Sequence, residues 1–543
     1  MRIALQDLND QMIMEGVTTM KTSRKVIALC FVALLAIPLL TACSSNNNNA
    51  PQPTATAQEQ PSALAANAPD LSKEVNIVCY LYGNEGVANP DIIAAINEKL
   101  KADLNCTLEI KYIDWGDVST KYPLLFTAGE KFDMAYASPV ATISYYTLAA
   151  QGLVMDITNM LDVVPDLKAA IDEKTWSTTK LDGKIYGVPC TYSEFIPYGY
   201  AYRADLREKY GLDTITSLET MEAYMQAVAD NESFAPINGN SIDAMNLYRM
   251  FVDMTSGWIP APGVPNDSLY LVGESKDDFK NIISPAFTDE FAQWCEKMRE
   301  WNDAGYWPTD ILASETTSKD NMLNGISAGF TGHMTDWTGA YGSYKTSLPG
   351  ISIDWWGPAV DTGKVATTPG VNNTTVISST SEIPERTLMV IEKLMTDESY
   401  YNLLQYGIEG RQYEIKDGMV VQPDGYDQAK DGFGFAGWAF RTDKFNIPMS
   451  TEDPRRYELI EEWKATAMHD PYVGFSFDPV NVSNEIAAVV NVNSTLGYQL
   501  MLGKTQADVA SAVEDYRTQL KNAGIDKIID ELTTQMADFT PVW

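Results

Sequence analysis

Histidine is scarce in this 543-residue chain, which contains only His333 and His469. The two are isolated in sequence, so a His-Glu-x-x-His zinc site is excluded. No cysteine spacing supports a zinc cluster, and a serine triad would have to use one of the two histidines. The sequence therefore predicts neither a metal site nor a cofactor.

Basic residues are also few: 39 lysines and arginines stand against 73 acidic residues, for a formal net charge of −34. Such a surface repels the phosphate backbone of nucleic acids and anionic lipid headgroups. Binding to nucleic acid is therefore excluded, and any attachment to a membrane has to come from a lipid anchor.

Six cysteines are too few for a disulfide framework in a chain of this length. Cys30 falls in the N-terminal apolar run, and Cys43 ends it. The remaining four are predicted to be small buried residues, with a disulfide between the last two left open: Cys79, Cys106, Cys190 and Cys295.

Long apolar runs are missing apart from one near the N-terminus. Val26–Leu40 carries no charge, follows three basic residues and is too short to span a bilayer. Leu40-Thr41-Ala42-Cys43 resembles the lipobox of bacterial lipoproteins, in which the cysteine is lipidated. We therefore expect a signal peptide at 1–42, starting at Met20, and a lipidated flexible tether at 43–73. An ordinary secretory signal is the alternative.

The chain beyond the tether alternates between strand and helix patterns. Strands are predicted at Val75–Tyr82, Thr107–Ile113 and Phe132–Ala137, with a helix from Asn89 between the first two. This order implies parallel pairing through crossover connections. A new series begins at Tyr198, so the sequence predicts two α/β units.

Aromatic residues are abundant, with 12 Trp and 28 Tyr. Many lie beside turn residues, where a ring can stack on the apolar face of a sugar while neighbouring polar groups bind its hydroxyls. Packing within loops is the alternative for each of them. The candidates of this kind are Tyr82, Trp115, Tyr192, Trp258, Trp337, Trp355, Trp356 and Trp438.

Several motifs resemble extracellular solute-binding proteins of carbohydrate ABC transporters (family 1), in particular the LipO-type lipoprotein subgroup with its distinctive C-terminal region. They include Lys131-Phe132-Asp133-Met134-Ala135 and Asp182-Gly183-Lys184-Ile185-Tyr186-Gly187-Val188-Pro189. Tyr406–Tyr413 and Gly474–Pro479 match the subgroup.

The resemblance implies an α/β, two-lobed, type II periplasmic-binding-protein-like fold with hinge-connected lobes and a helical C-terminal extension. Lobe 1 is expected at 74–191 plus 372–410, and lobe 2 at 192–371 plus 411–543. Hinge crossings would fall near Cys190–Phe195, Thr368–Asn372 and Tyr406–Tyr413. The family's ligand-lining loops correspond here to Tyr82, Asn84, Ser138, Tyr192, Glu194, Asp336 and Trp337.

The expected function is that of a non-catalytic lipoprotein, a monomer anchored outside the cytoplasm through Cys43 on the outer face of a Gram-positive membrane. It would capture an oligosaccharide and deliver it to the permease subunits of an ABC importer. The alternatives are a secreted carbohydrate-active enzyme and a binding lipoprotein for peptides or other polar solutes.

Overall fold

The computed structural model describes residues 69–139, 141, 143–262, 270–475 and 477–541. The predicted signal peptide, most of the predicted tether and Cys43 lie outside the described residues.

A five-stranded sheet organises one part of the chain. The first three strands are parallel, and the fourth strand in the sheet runs antiparallel to both neighbours. In spatial order the strands are Cys106–Ile113, Val75–Tyr82, Met134–Ala137, Thr374–Ile377 and Gly187–Pro189. The predicted parallel pairing and the bounds of the Val75–Tyr82 strand are confirmed.

Both faces of this sheet are covered by apolar clusters, and successive side chains of its strands point alternately into one cluster and the other. Ile77, Cys79 and Leu81 point into one cluster and Tyr82 into the other. We call this part lobe 1. Its helices are Asn89–Leu104, Val118–Thr127, Tyr145–Ala150, Pro165–Ala170, Glu173–Ser177, Pro384–Thr396 and Glu398–Tyr406, with 3-10 turns at Trp115–Asp117, Thr158–Val163 and Trp438–Phe440 and a hairpin of Lys180–Leu181 with Lys184–Ile185.

A three-stranded antiparallel sheet organises the second part, which we call lobe 2. Tyr198–Arg203 lies between Gly329–His333 and Ile353–Trp356. Its residues also alternate: Tyr200 and Tyr202 enter one cluster, and Ala201 the other. The main helices are Ala204–Lys209, Leu218–Asn231, Ser241–Met254, Asp289–Asp303, Ser318–Leu323, Met334–Ser347, Pro358–Asp361 and Pro454–Thr466, with a small sheet of Ile259–Pro260, Val272–Gly273 and Ile282–Ile283.

The C-terminal helices pack on lobe 2. Val489, Leu520 and Ile528 are buried in the same apolar cluster as Tyr200. The expected helical C-terminal extension is present, and its elements are Ser483–Val492, the π-helical turn Asn493–Gly497, Tyr498–Met501, Val509–Ala523 and Ile525–Met536.

The chain passes between the sheets beside a two-stranded ribbon in which Glu194–Phe195 pairs with Thr367–Thr368. Phe435 and Phe440 still pack in a lobe 1 cluster, whereas Ile460 packs in lobe 2. We therefore propose a third crossing at 441–453, later than the expected boundary at 410. The interval between these two boundaries contains the hairpin of Glu414–Lys416 and Met419–Val421. Its residues Tyr413 and Val420 form a small apolar cluster with Tyr401 and Tyr406 of lobe 1.

Cys79, Cys106, Cys190 and Cys295 are buried free thiols, so the disulfide left open for the last pair is not formed. Within the described ranges, no helix combines the length and apolar character needed to cross a membrane.

Candidate functional site

The ends of all five strands of the lobe 1 sheet meet at one edge. Tyr82 is paired with Ile113, and Ala137 and Pro189 both lie beside Thr374, the first residue of the antiparallel strand. The carboxyl edge of a parallel sheet is the usual place for ligand sites in open α/β folds. Loops that leave this edge are therefore the first candidates for the site.

Trp115 is presented at this edge by a short capped turn. The Asp114 carboxylate accepts a hydrogen bond from the Gly116 backbone N–H at 2.9 Å. This cap starts the 3-10 turn Trp115–Asp117 and leaves the Trp115 side chain largely in solvent, with 59% exposure. Gly83 turns the neighbouring loop with a φ of +112°, a conformation that favours glycine.

Four rings form an aromatic platform at the edge: Tyr82, Trp115, Tyr136 and Trp438. The ring centroids of Trp115 and Trp438 are 5.7 Å apart, and those of Tyr136 and Trp438 are 5.9 Å apart. Tyr82 lies 5.0 Å from Tyr136 and 5.9 Å from Trp115. Such spacings are those of favourable edge and tilted aromatic contacts. Tyr82, which is buried, and Tyr136, which is partly buried, thus hold the two indoles in place.

A cavity of about 530 Å³ opens beside the platform. Trp115 and Trp438 line it, together with neutral amide side chains. The Nε2 atom of Gln412 is buried and finds no hydrogen-bond partner among the described residues, although Oε1 accepts from the Ile408 backbone N–H at 2.9 Å. A free amide donor can bind a hydroxyl oxygen. The amides at the cavity are Asn84, Gln405, Gln412 and Gln422.

Glu194 takes part in a hydrogen-bond network at the first crossing. Its Oε1 accepts from Arg441 Nη2 at 2.9 Å, and its Oε2 accepts from Asn373 Nδ2 at 3.1 Å. Burial is the largest influence and opposes the charge of Arg441, but the Glu194 carboxylate, together with Tyr192 and Cys190, raises the pKa of the guanidinium above its ordinary value. Arg441 therefore stays charged and paired.

Tyr192 extends this network into lobe 2. The Arg441 guanidinium carbon lies 4.3 Å from the centroid of the Tyr192 ring. The Tyr192 hydroxyl accepts from Arg456 Nη2 at 3.1 Å, and Arg456 Nη1 donates to Thr338 Oγ1 at 3.3 Å. Tyr192 and Glu194 are therefore brought together at the hinge, where they connect the two lobes.

Tyr192→Phe is expected to lower the free energy of unfolding by about 1.5–3 kcal/mol, because Arg456 loses a buried acceptor for its charged group. The ring and its contact with Arg441 are kept. Chemical denaturation measures the loss. In Tyr136→Phe, the matched control, the hydroxyl that donates to two neutral acceptors, the Asn372 carbonyl at 3.0 Å and Asn373 Oδ1 at 3.2 Å, is removed, for about 0.5–1.5 kcal/mol. A loss in Tyr192→Phe no larger than in this control would contradict the role of the Arg456 contact.

Ser138 and Asp336 lie on different lobes. Ser138 is buried just after the third strand, at the carboxyl edge. Asp336 is partly exposed in lobe 2, with its carboxylate 3.3 Å from Lys319 Nζ and 3.3 Å from His333 Nε2. Burial lowers the pKa of His333 despite the opposing charge of Asp336, so the imidazole is neutral near pH 7.

Trp337 and Trp258 do not reach the cavity. Trp337 is 0% exposed and stacks on Trp355 at 6.3 Å, behind the lobe 2 sheet. Trp258 is buried against Phe251 at 5.5 Å in the other lobe 2 cluster. A buried ring offers no face to a ligand, so we exclude both from the candidate site. For these two residues the packing alternative holds.

Tyr136, Arg441 and Gln412 were missed by sequence reasoning. Tyr136 lies within the predicted third strand. Because side chains alternate along a strand, it lies on the same face of the sheet as Ser138, which is buried. Arg441 pairs with a residue that is distant in sequence, so no local pattern marks it. Gln412 lies inside the Tyr406–Tyr413 motif, but the motif does not show that its amide faces a cavity.

One sequence pattern resembles a catalytic serine motif, but its structure does not suit a nucleophile. Residues 325–329 match a Gly-x-Ser-x-Gly pattern, but Ser327 is fully buried and its hydroxyl donates to the Gly329 carbonyl at 2.7 Å. The pattern also precedes a strand, whereas a nucleophile elbow follows one. In the described part of the chain, no group of three His, Cys, Asp or Glu side chains is arranged to hold a metal ion.

Comparison with known proteins gives two family matches and one curated relative. Residues 92–407 match the bacterial extracellular solute-binding protein family, and residues 471–541 match a domain of unknown function, DUF3502. A carbohydrate ABC transporter substrate-binding protein of Streptococcus pneumoniae is 24% identical over 477 residues, which cover 87% of this chain and 92% of the relative.

Solved structures share the fold. The N-glycan transport solute-binding protein NgtS of S. pneumoniae aligns with a TM-score of 0.70 at 22% identity, over 86% of this chain and 99% of its own. Its complexes with Man1GlcNAc and Man5GlcNAc align with scores of 0.63 and 0.60. An HMO-binding, ABC-transporter-associated protein from Bifidobacterium longum infantis aligns with a score of 0.59 at 16% identity, over 86% and 99%. The predicted two-lobed type II fold is confirmed, and the chain belongs to the bacterial extracellular solute-binding protein family.

Proposed function

We propose that this protein captures a neutral oligosaccharide at the aromatic platform and delivers it to an ABC importer. The observation that carries the proposal is the exposed face of Trp115 beside a cavity lined with amides. An indole face packs on the apolar face of a sugar ring, and amides match its hydroxyls. The similarity to the pneumococcal carbohydrate ABC transporter substrate-binding protein and to NgtS, whose structure is known in complex with Man1GlcNAc, supports the same class of ligand.

The charges near the cavity favour a neutral ligand over an acidic one. The Arg441 guanidinium is paired with Glu194, and Arg456 lies 2.7 Å from Glu452. An acidic sugar would have to compete with these carboxylates, whereas a neutral sugar leaves every pair intact.

Affinity requires more than stacking. A stacked aromatic pair contributes roughly 0.5–1.5 kcal/mol, whereas micromolar binding requires about 8 kcal/mol. The remainder has to come from hydrogen bonds to hydroxyls and from water excluded when the lobes close. Hinge closure around a ligand is characteristic of periplasmic binding proteins.

The same proposal includes attachment through a lipid on Cys43 and a position outside the cytoplasm. The lipobox-like run before Cys43 supports the anchor, and the extracellular family supports the location. The acidic surface leaves the lipid as the means of attachment. We propose that the mature chain is a monomer that docks on permease subunits.

A non-catalytic role is part of the proposal, since the similar proteins are solute-binding proteins rather than enzymes. The described residues offer no observation that favours the secreted enzyme or the peptide-binding alternative.

Calorimetric titration with a panel of neutral oligosaccharides, uronic-acid oligosaccharides and short peptides tests the proposed function. We expect saturable binding of at least one neutral oligosaccharide, recovered uncleaved, and a rise in thermal stability with ligand concentration. Tighter binding of the uronic-acid compounds or peptides, or cleavage of the sugar, would refute it.

A further inference from the structure

The segment that leads into the domain of unknown function runs along the hinge. Met468 forms an isolated parallel bridge with Ala366, directly before the hinge strand Thr367–Thr368. Its backbone N–H donates to the Val365 carbonyl at 2.9 Å, and its carbonyl accepts from the Thr367 N–H at 3.2 Å. Met468, the first residue of this segment, is thus fixed beside a crossing segment.

The same segment then contacts lobe 1. The Gly474 backbone N–H donates to the Tyr146 hydroxyl at 3.0 Å, and that hydroxyl donates to the Thr178 carbonyl at 2.9 Å. Tyr146 is buried in lobe 1, at the start of the helix that follows the third strand. A second contact lies nearby, where Lys174 Nζ and His469 Nε2 are 3.1 Å apart.

The segment also contacts lobe 2. Tyr472 is buried in the apolar cluster that contains the C-terminal helices, and its hydroxyl donates to the Phe279 carbonyl at 2.6 Å. The Asp470 carboxylate accepts from the Tyr472 backbone N–H at 2.9 Å and fixes the turn. The segment therefore connects lobe 1 to the C-terminal helices, and its lobe 1 contacts, Tyr146 and Lys174, lie outside the three chain crossings.

We propose that Met468–Gly474 is a strap by which the C-terminal domain limits the rotation of the lobes, and that this is a function of the domain matched at 471–541. Without the strap, lobe 1 would turn against lobe 2 on the crossing segments alone. With it, rotation has to break the hydrogen bond between Gly474 and Tyr146. The inference rests on the proposed function only in that the lobes open and close.

The test compares Tyr146→Phe with Tyr145→Phe. Both tyrosines are buried, and both hydroxyls donate to a carbonyl of the same loop, since Tyr145 reaches Thr179 at 2.7 Å. Only Tyr146 also accepts from Gly474. The two variants thus lose similar contacts within lobe 1 and differ in the strap.

Spin labels on introduced cysteines at the exposed positions Ser119 and Thr346 report the separation of the lobes in ligand-free mature protein carrying Cys43→Ser. The four native cysteines are buried. We expect a wider or shifted distance distribution for Tyr146→Phe and the wild-type distribution for Tyr145→Phe. Identical distributions for the two variants would overturn the proposal.

Lys174→Met provides an independent variant at an exposed position, should Tyr146→Phe fold poorly. It removes the contact with His469 and is expected to shift the distribution in the same direction by a smaller amount. A wild-type distribution for Lys174→Met, together with no difference between the tyrosine variants, overturns the strap. Because no ligand is used, a failure to bind oligosaccharide leaves this test intact.

Discussion

Trp337→Ala is expected to lower the free energy of unfolding by about 3–5 kcal/mol, the usual loss when a large buried aromatic is truncated. Trp337 has no exposed surface, and it stacks on Trp355 at 6.3 Å with the ring planes 11° apart. Its removal leaves a cavity between the lobe 2 sheet and the Met334–Ser347 helix. Chemical denaturation of the purified protein measures the loss.

The expected effect on ligand affinity is indirect, because the ring does not face the cavity. Trp115→Ala is the matched control for stability: at an exposed position the same truncation should cost no more than about 1 kcal/mol. A Trp337→Ala protein with wild-type stability and strongly reduced oligosaccharide affinity would show that Trp337 is a ligand contact, as its turn context in the sequence suggested.

Trp115→Ala is expected to weaken oligosaccharide binding roughly tenfold or more while leaving stability almost unchanged. A tenfold loss corresponds to about 1.4 kcal/mol, near the upper end of what a stacked aromatic pair contributes. Trp115 is the most exposed ring of the platform, and Trp438 remains beside the cavity in this variant. Calorimetric titration with the tightest ligand of the panel measures the change.

Trp258→Phe is the matched control for affinity. Trp258 is buried in lobe 2 and packs on Phe251, so this conservative change should leave binding at the wild-type level. Equal affinities for wild type and Trp115→Ala would remove the platform from the ligand site, whatever the stability of the two proteins.

The lobe 1 strands were predictable because their residues alternate over two buried faces. The Val75–Tyr82 strand has its predicted bounds, and the third strand is shorter by two residues. Strand order along the chain fixed the parallel pairing of the first three. Local sequence carries this information, since a strand in a covered sheet has to present apolar groups to both sides.

Trp115 and Trp337 have the same local signal, an aromatic residue beside turn-forming residues. Their difference lies in what packs over them. Met334, Trp337, Thr338 and Tyr344 are all buried along one helix, a stripe that the glycines between them obscured. Trp115 follows a capping aspartate at the sheet edge and stays largely exposed, although Trp438 packs beside it.

The hinge network could not be read from the sequence. Arg441 and Glu194 are 247 residues apart, and Arg456 and Tyr192 are 264 apart. Neither arginine lies in a motif with a spacing that points to its partner. The third crossing that we propose lies later than the boundary expected at 410 for a similar reason, because Phe435 and Phe440 pack in the lobe 1 core after the hairpin.

A crystal structure of the protein with the tightest-binding neutral oligosaccharide tests the central claim most directly. We expect a sugar ring stacked on the indole of Trp115 and hydroxyls bonded to the amides of Gln412 and its neighbours in the cavity. An oligosaccharide bound elsewhere, with the face of Trp115 still in solvent, would contradict it.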